Sequence, residues 1–376
     1  MIKNNLKVLH LAVDEKFIDM GLESFDQVGL ENDLIVFSDQ KLKYIKRSNV
    51  KLMSRKELSS INLKNIIAQY KVVILHSLFS FSINFPRHVT VVWIGFGYDY
   101  YDLILPFHKT LLPKTKKHLL SKFKLIPFLK SFFYILNFRL NGNVKRVINR
   151  VDYFCPVLFE EYELITSNYK QFNPKFLDWN YGNLEDTLVK GLMDRRVNGT
   201  NIMIGNSASA TNNHFDIVEK ISKRNLGNNK VIMPLSYGDR NYASCVKNLC
   251  VKRFGNKFVP LESFLPIDDY IEIQCSCSIV IMNHVRQQAL GNIITALYLG
   301  AKVFLMESNP IFEYLKRNGL ILFSISELEE HDLESILSGE KMEINRMALR
   351  RMWSRDIMRN KTKCLSEYFQ GSTLGS

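Results

Sequence analysis

Two series of short apolar segments constrain the fold of this chain more than any other feature. The first series begins with KVLHLAV at Lys7 and continues with apolar runs that start at Asp33, Val72, Val89 and Val151. The second series contains NIMIGNS, KVIMPLSYG, NKFVPL, CSIVIMN and AKVFLME. Segments that are apolar on both faces are typical of buried parallel strands, and helices can occupy the stretches between them. The sequence therefore predicts an α/β protein.

A change of composition near Gly182 separates the two series. The segment GNLEDTLVKGLMDRRVNGTN is polar and has little periodicity, and a chain of 376 residues suits two cores better than one. The C-terminal RMALRRMWSRDIMRNKTKCLSEYF reads as one long helix. We predict two Rossmann-like domains facing each other across a cleft. The expected parts are an N-terminal domain (1–185), a linker (186–200), a second domain (201–350) and a C-terminal helix and tail that pack back on the first domain (351–376).

Positive charge is concentrated in one interval of the first half. The formal net charge is +13, yet no acidic residue lies between Asp102 and Asp152. Lysines in this interval are interleaved with Leu, Phe and Ile, a pattern typical of amphipathic helices in a membrane interface. A nucleic acid would also suit a basic patch, but no recognition motif accompanies this one, so none is expected as a partner. We predict that the N-terminal domain contacts an anionic membrane surface through Lys114, Lys116, Lys117, Lys122, Lys124 and Phe123, with Phe128, Phe132 and Phe133 beside them.

The most apolar long segment is too short to cross a bilayer. It runs from Leu125 to Leu140, spans 16 residues and contains Lys130 and Arg139, whereas a spanning helix needs about 20 apolar residues. The N-terminus reads as a first strand and not as a signal peptide. The sequence therefore predicts peripheral attachment to a membrane.

A polar loop follows the predicted strand NIMIG. Gly205 permits unusual backbone conformations, and the loop ends where a helix begins near His214. Ligands of open α/β folds bind at the carboxyl ends of strands, where a helix N-terminus adds N–H groups and partial positive charge. The loop suits a phosphate or a sugar hydroxyl, although Ser, Thr and Asn are also ordinary helix caps. Its hydroxyl and amide groups belong to Asn206, Ser207, Ser209, Thr211 and Asn212.

A second loop of the same kind follows the strand IVIMN. It holds Arg286, Gln287 and Gln288, and a helix begins near Gly291 and Asn292. An arginine at a helix N-terminus can neutralise a diphosphate, whereas the alternative is a solvated turn with a surface arginine. The chain has no GxxxxGK[ST], no GxGxxG and no DxD after a strand. We therefore predict a metal-free reaction in which Arg286 and helix dipoles assist departure of the diphosphate.

These motifs resemble one enzyme family, the TDP-N-acetylfucosamine:lipid II N-acetylfucosaminyltransferases of enterobacterial common antigen. The family's G-N-S and S-N-x-H match residues 205–207 and 211–214, with Thr for Ser. Its R-Q-Q-G-x-G matches residues 286–291, with Ala289 where a glycine is usual. In the first half, W-G-x-D-x-Y matches residues 96–101, with Phe for Trp. Further matches are Pro234, Tyr237, Asp268, Tyr270, Cys277, Asn309 and Pro310.

The resemblance implies a GT-B fold in which the second domain binds the donor and the first binds the acceptor. The implied reaction moves an N-acylated 4-amino-4,6-dideoxyhexose from a TDP-sugar to a polyprenyl-diphosphate-linked glycan of a bacterial surface polysaccharide, such as O-antigen. It takes place at the cytoplasmic face of the inner membrane, with no cofactor and no metal. Two alternatives stay open: a GT-B enzyme with a different nucleotide sugar, and a non-catalytic binder of anionic lipid or polysaccharide. The expected donor-binding residues are Gly205, Asn206, Ser207, Thr211, Asn212, His214, Pro234, Tyr237, Gln287, Gln288, Gly291, Asn292 and Asn309.

Two residues are expected to act in the reaction itself. Arg286 would stabilise the leaving diphosphate. Asp99 follows a strand and would take the proton of the acceptor hydroxyl as a general base. In a reaction that retains configuration, Asp99 would only orient the acceptor. His10 and His76, each near a strand end, are weaker candidates because a lone histidine is more often structural.

Overall fold

Two fully parallel β-sheets form the cores of two units in a computed structural model of the protein. Unit 1 comprises Met1–Pro106, Ser131–Asn183 and Arg355–Ser376, and unit 2 comprises Phe107–Lys130 and Leu184–Ser354. The structure describes residues 6–78, 82–101, 105–123, 129, 133, 136 and 146–372.

Unit 1 has seven strands: β1 (Lys7–Ala12), β2 (Glu31–Phe37), β3 (Lys51–Met53), β4 (Val72–His76), β5 (Thr90–Ile94), β6 (Tyr153–Cys155) and β7 (Lys175–Phe176). They are arranged in the order β3-β2-β1-β4-β5-β6-β7. Every residue of β4 is buried, as its apolar sequence predicts for a central strand covered on both faces. The described residues of this unit include the helices α1 (Ile18–Asp26), α2 (Ile61–Ile67), α4 (Phe159–Asn168) and α11 (Arg355–Ser372).

Unit 2 has six strands: β8 (Asn201–Ile204), β9 (Val231–Pro234), β10 (Phe258–Leu261), β11 (Cys277–Met282), β12 (Lys302–Leu305) and β13 (Phe323–Ser324). Their order is β10-β9-β8-β11-β12-β13. The helices are α3 (Pro113–Phe123), α5 (His214–Ile221), α6 (Arg240–Phe254), α7 (Ile267–Cys275), α8 (Leu290–Leu299), α9 (Pro310–Arg317) and α10 (Gly339–Trp353).

The strand order reverses once in each sheet, between β1 and β4 in unit 1 and between β8 and β11 in unit 2. At such a switch point the loops after the two neighbouring strands diverge to opposite faces of the sheet and leave a crevice. Crevices of this kind are where doubly wound α/β folds bind their ligands. Both units are therefore Rossmann-like, and in each the carboxyl edge of the sheet at the switch point is the expected position of a ligand site.

The predicted single C-terminal helix is two helices. Ser354 adopts an extended backbone (φ −59°, ψ 156°) that ends α10, and α11 begins at the next residue. The grouping of residues changes at the same point, because α10 belongs to unit 2 and α11 to unit 1. In unit 1, α11 packs on α1, and the Trp179 Nε1–H donates to Thr362 Oγ1 at 2.9 Å.

Two predicted boundaries differ from the structure. The expected linker is packed into unit 2: Val189 and Leu192 are buried, and Thr295 Oγ1 donates to the Leu188 carbonyl at 2.8 Å. Residues 107–130, predicted to be part of the N-terminal domain, group with unit 2 instead. Among the described residues, no helix has the length and apolar character to cross a membrane.

Candidate functional site

Asn212 is the centre of a hydrogen-bond network at the switch point of unit 2. Its Oδ1 accepts from the Asn206 backbone N–H at 2.9 Å and from His284 Nε2 at 2.8 Å. Its Nδ2 donates to Ser207 Oγ and to the Ser209 carbonyl, both at 3.2 Å. The loop after β8 is thereby folded on itself and tied to the loop after β11.

Gln288 makes a second link between the same two loops. Its Oε1 accepts from Thr211 Oγ1 at 2.7 Å, and its Nε2 donates to Asn206 Oδ1 at 3.1 Å. Thr211 Oγ1 also shares a 2.9 Å hydrogen bond with Ser209 Oγ. The polar side chains that the sequence placed in two separate loops therefore form one surface at the carboxyl ends of β8 and β11.

Buried asparagines stabilise this surface by donating hydrogen bonds to the backbone carbonyls of the two loops. Asn213 Nδ2 donates to the Asn283 carbonyl, and Asn283 Nδ2 donates back to the Asn213 carbonyl, both at 3.1 Å. Asn309 Nδ2 donates to the carbonyls of His284 (3.1 Å) and Arg286 (3.0 Å). Sequence reasoning missed Asn213, Asn283 and His284. Each is adjacent to a predicted strand end or motif residue, but their pairing across 70 residues leaves no periodic signal.

The backbone of this surface is unusual at three places. Gly205 has φ +70°, Asn213 has φ +51° and Ala289 has φ +60°. The last two immediately precede α5 and α8. Left-handed backbone at residues other than glycine is strained, and such strain is concentrated at functional sites. The conformation also explains why glycine is usual in the family at the position of Ala289.

Two buried histidines lie in the network as neutral rings. Burial lowers the pKa of His214 and of His284 to about 3, so neither carries charge near pH 7. His284 Nε2 faces the Asn212 carbonyl oxygen and therefore holds the ring proton. Among the described residues, His284 Nδ1 and His214 Nε2 have no hydrogen-bond partner. The two histidines thus contribute polar nitrogen atoms to the site but no charge.

Close packing around Gly205 leaves no space for a side chain. A Cβ there would lie 2.6 Å from Asn212 Oδ1 and 2.9 Å from His214 Nε2. The glycine is therefore required both for its positive φ and for the approach of the two side chains.

Arg286, Gln287 and Tyr237 lie at the same edge. The Arg286 Nη1 donates to the Gln287 carbonyl at 3.2 Å. Tyr237 is 71% exposed, and its carbonyl accepts from the Ala208 N–H at 2.6 Å, which joins the loop after β9 to the loop after β8. Pro234 is the buried last residue of β9.

Two predicted donor-binding residues lie apart from the network. Asn292 lines an internal pocket together with Met203 and Gln274, although the sequence places it near the arginine. A Cβ on Gly291 would meet the Leu188 side chain at 3.5 Å. Both residues are half-buried, and their part in donor binding stays a prediction.

The start of the basic segment is fixed to α5. The Asp216 carboxylate accepts from the backbone N–H groups of Lys114 and Thr115, both at 2.9 Å. Asn213 Oδ1 accepts from the Leu112 N–H at 2.8 Å, and His118 stacks on Phe215 at 3.9 Å. This helix therefore packs beside the end of the loop after β8, in unit 2 and not in the N-terminal domain where the sequence placed it.

Much of the basic segment still faces solvent. Lys117 and Lys122 are exposed, Lys116 is half-buried, and Lys114 forms an ion pair with Glu219 at 3.6 Å. Phe133 is 61% exposed. Outside the described residues are Lys124, Phe128 and Phe132, together with the side chain of Phe123.

Asp99 is held by three donors in unit 1. Its Oδ2 accepts from the Leu78 N–H at 2.8 Å and from Trp93 Nε1 at 2.9 Å, and its Oδ1 accepts from the Phe96 N–H at 2.9 Å. Burial raises the pKa of Asp99, while the three hydrogen bonds act in the opposite direction. These contacts make Asp99 the anchor of the loops after β4 and β5. Its predicted role as a base gains no support from them.

His10 and His76 make the buried contacts of structural residues. Both are buried, His10 Nδ1 lies 2.8 Å from His76 Nε2, and His76 Nδ1 lies 2.6 Å from the Tyr181 hydroxyl. Burial lowers the pKa of His10 to about 4 and lowers that of His76 as well. Among the described residues, no group of three or more His, Cys, Asp or Glu side chains could hold a metal ion.

Solved structures share this architecture over nearly the whole chain. A glycosyltransferase from Rickettsia africae matches with a TM-score of 0.61 and 14% identity, covering 98% of this chain and 99% of its own. The lipopolysaccharide outer core galactosyltransferase WaaB matches with a TM-score of 0.63 and 10% identity, covering 97% and 100%. Anabaena HepE, in complex with UDP and glucose, matches with a TM-score of 0.59 and 10% identity, covering 98% and 100%. At these identities the likeness shows the fold, which is GT-B as the resemblance implied.

Fold and sequence together define the class of this protein as a glycosyltransferase of the GT-B type. Within that class, residues 183–348 match the model of the family described as 4-alpha-L-fucosyltransferase, glycosyl transferase group 56. The resemblance predicted from the motifs is confirmed over these residues. They include the whole network around Asn212 and Gln288.

Proposed function

We propose that the protein transfers an N-acylated 4-amino-4,6-dideoxyhexose from a TDP-sugar to a polyprenyl-diphosphate-linked glycan in bacterial surface polysaccharide synthesis. One observation carries the donor half of this proposal. The residues that match the transferase motif, notably Asn206, Thr211, Asn212 and Gln288, form a single hydrogen-bonded surface at the switch point of unit 2. Open α/β sheets bind nucleotides at that point.

The diphosphate is proposed to lie against this surface. Helices α5 and α8 both begin at this surface, and the N-terminus of each contributes N–H groups and partial positive charge. Arg286 adds a full positive charge, and its backbone carbonyl accepts a hydrogen bond from the Asn309 side chain. As the bond between the sugar and the diphosphate breaks, negative charge grows on the leaving group, and these groups stabilise it in place. The proposal requires no metal for this step.

The nucleobase of the donor has two candidates, thymine and uracil. HepE, which has the same fold, was crystallised with UDP-glucose, and so a uridine nucleotide is the second candidate. The family resemblance favours TDP. A panel that contains both bases distinguishes them.

The acceptor half of the proposal rests on the basic segment. Exposed Lys117 and Lys122, with Phe133 farther along, give charged and apolar groups that suit an anionic bilayer. A lipid-linked diphosphate presents its sugar at such a surface. The protein is accordingly proposed to act as a peripheral protein at the cytoplasmic face of the inner membrane.

A transfer assay tests the proposal. Purified protein is incubated with TDP- and UDP-sugars and a polyprenyl-diphosphate-linked acceptor, with and without excess EDTA, and the glycolipid is detected by mass spectrometry. Transfer from a TDP-4-acylamino sugar that persists in EDTA is the expected result. Transfer only from UDP-sugars would change the donor, and activity restored only by a divalent ion would overturn the metal-free step.

A further inference from the structure

A stack of aromatic rings lies at the switch point of unit 1. Phe96 stacks on Tyr181 (4.8 Å between centroids, 17° between planes) and on Tyr98 (5.9 Å, 6°). Phe17 contacts Phe96 at 5.7 Å and Tyr181 at 5.8 Å. Tyr98 is 54% exposed although one face of its ring is covered. An aromatic ring that is fixed on one side and open on the other suits the apolar face of a sugar ring.

A carboxylate stands beside this ring. Glu15 lies in the loop after β1, half-buried, and its Oε1 accepts a long hydrogen bond (3.4 Å) from the Tyr98 hydroxyl. Tyr98 comes from the loop after β5, so the contact passes over the carboxyl end of β4, which lies between those strands. The next residue along the chain after β4, Ser77, has φ +72°. Strained backbone thus occurs at this crevice as it does in unit 2.

The neighbouring carboxylates, Asp14 and Asp99, each accept three hydrogen bonds that hold loops in place. Asp14 accepts from the backbone N–H groups of Lys43 (2.6 Å), Tyr44 (3.1 Å) and Ile45 (3.0 Å). Asp99 accepts from three donors at 2.8–2.9 Å. Glu15 accepts a long hydrogen bond from the Tyr98 hydroxyl and one from the Lys16 backbone N–H, which is fewer donors than Asp14 or Asp99 has. Of these three acids it retains the most capacity to take a proton.

We infer that Glu15 is the general base that takes the proton from the acceptor hydroxyl, with the acceptor sugar stacked on Tyr98. This inference rests on the proposed glycosyl transfer. The acceptor oxygen forms a bond to the anomeric carbon while its proton passes to a Glu15 carboxylate oxygen. The bond from that carbon to the diphosphate oxygen breaks, and the nucleoside diphosphate leaves with the electron pair.

The surroundings of Glu15 suit this role. Burial raises the pKa of Glu15, and Asp14 acts in the same direction. The Tyr98 hydroxyl and Lys16 act in the opposite direction, and the Lys16 ammonium itself lies over the Phe17 ring at 4.8 Å. A carboxylate with a raised pKa is a better proton acceptor.

The test compares Glu15→Gln with Glu23→Gln, an exposed glutamate on α1, in the transfer assay. Glu15→Gln should lower kcat by at least about 100-fold, the usual effect of losing a general base, while affinity for the nucleotide stays that of the parent. Glu23→Gln should behave as the parent does. Glu15→Asp, which keeps the charge, should retain more activity than Glu15→Gln. Thermal unfolding confirms that each variant is folded.

The pH profile separates a base from a structural residue. In the parent, kcat/KM should fall as the pH drops through the pKa of Glu15, and this acid limb should be absent in Glu15→Gln. Tyr98→Phe removes a hydrogen bond that lowers the pKa of Glu15, and so the limb should move to higher pH. Retention of more than about a tenth of kcat in Glu15→Gln, with the limb intact, would overturn the inference. If the parent itself transfers no sugar, the proposed function fails instead.

Discussion

Strained backbone at single residues marks both crevices of the molecule. Apart from glycines, the described residues with positive φ are Ser77, Asn213 and Ala289, and each follows a strand at a switch point. The sequence indicated that the polar loops mattered, because Ser, Thr and Asn in such numbers after a strand suit a ligand. It could not show the strain, since serine and alanine carry no signal for left-handed backbone, and asparagine, which does adopt it, is also common in other conformations.

Replacing Ala289 with glycine should stabilise the protein or leave its stability unchanged. Left-handed backbone costs an L-residue roughly 1–2 kcal/mol, and glycine removes that cost against a smaller loss in chain entropy. The matched control is Ala296→Gly within α8, which should destabilise by about 1 kcal/mol. Chemical denaturation measures both. A loss of stability in Ala289→Gly equal to that in Ala296→Gly would contradict the account.

Gly205→Ala should disrupt the proposed donor site more than it disrupts the fold. The new Cβ would strain the backbone and meet Asn212 Oδ1 at 2.6 Å, so the loop must move. Gly191→Ala is the control, because Gly191 also has positive φ (+74°) but its new Cβ would meet no atom within 4 Å. We expect a cost of roughly 1–3 kcal/mol from strain in each and loss of nucleotide binding only in Gly205→Ala. Calorimetric titration with TDP decides between them.

At the scale of elements, the central strands and the edge strand β10 were predictable, and the three shortest edge strands were not. β4 and β11 are buried throughout, and apart from His76 and Ser278 their residues are apolar. The edge strands β3, β7 and β13 have two or three residues, too few to show a period. The break at Ser354 was also missed, because helix-forming residues flank it on both sides.

The position of α3 depends on contacts that no local pattern reveals. Its N-terminal amides are capped by Asp216, about a hundred residues later in the chain. Asp216→Ala should cost about 1 kcal/mol, as loss of a helix cap usually does, and should speed tryptic cleavage at Lys114, Lys116 and Lys117. Asp268→Ala, at an exposed acid in α7, should leave the cleavage rate unchanged. Equal rates in the two variants would show that the cap does not hold α3.

At the scale of the whole molecule, the excess positive charge is proposed to serve membrane attachment. Each Lys near an anionic surface contributes roughly 1 kcal/mol, so replacing Lys114, Lys117 and Lys122 with Glu should abolish co-sedimentation with anionic vesicles at moderate salt. A control with the same change of charge replaces the exposed Lys41, Lys56 and Lys252 with Glu. If both triple variants sediment alike, net charge and not this segment governs binding.

The central claim is that the loops after β8 and β11 bind the diphosphate of a nucleotide sugar. Calorimetric titration of TDP into the parent, Arg286→Ala and Arg359→Ala tests it most directly, because Arg359 is an exposed arginine on α11. Loss of a charge-assisted contact costs about 1.5–3 kcal/mol, which corresponds to a Kd weakened by about 10- to 150-fold. We predict that change in Arg286→Ala and parental affinity in Arg359→Ala. A Kd for TDP that is the same in all three proteins, or no binding to the parent, would contradict the assignment of this site.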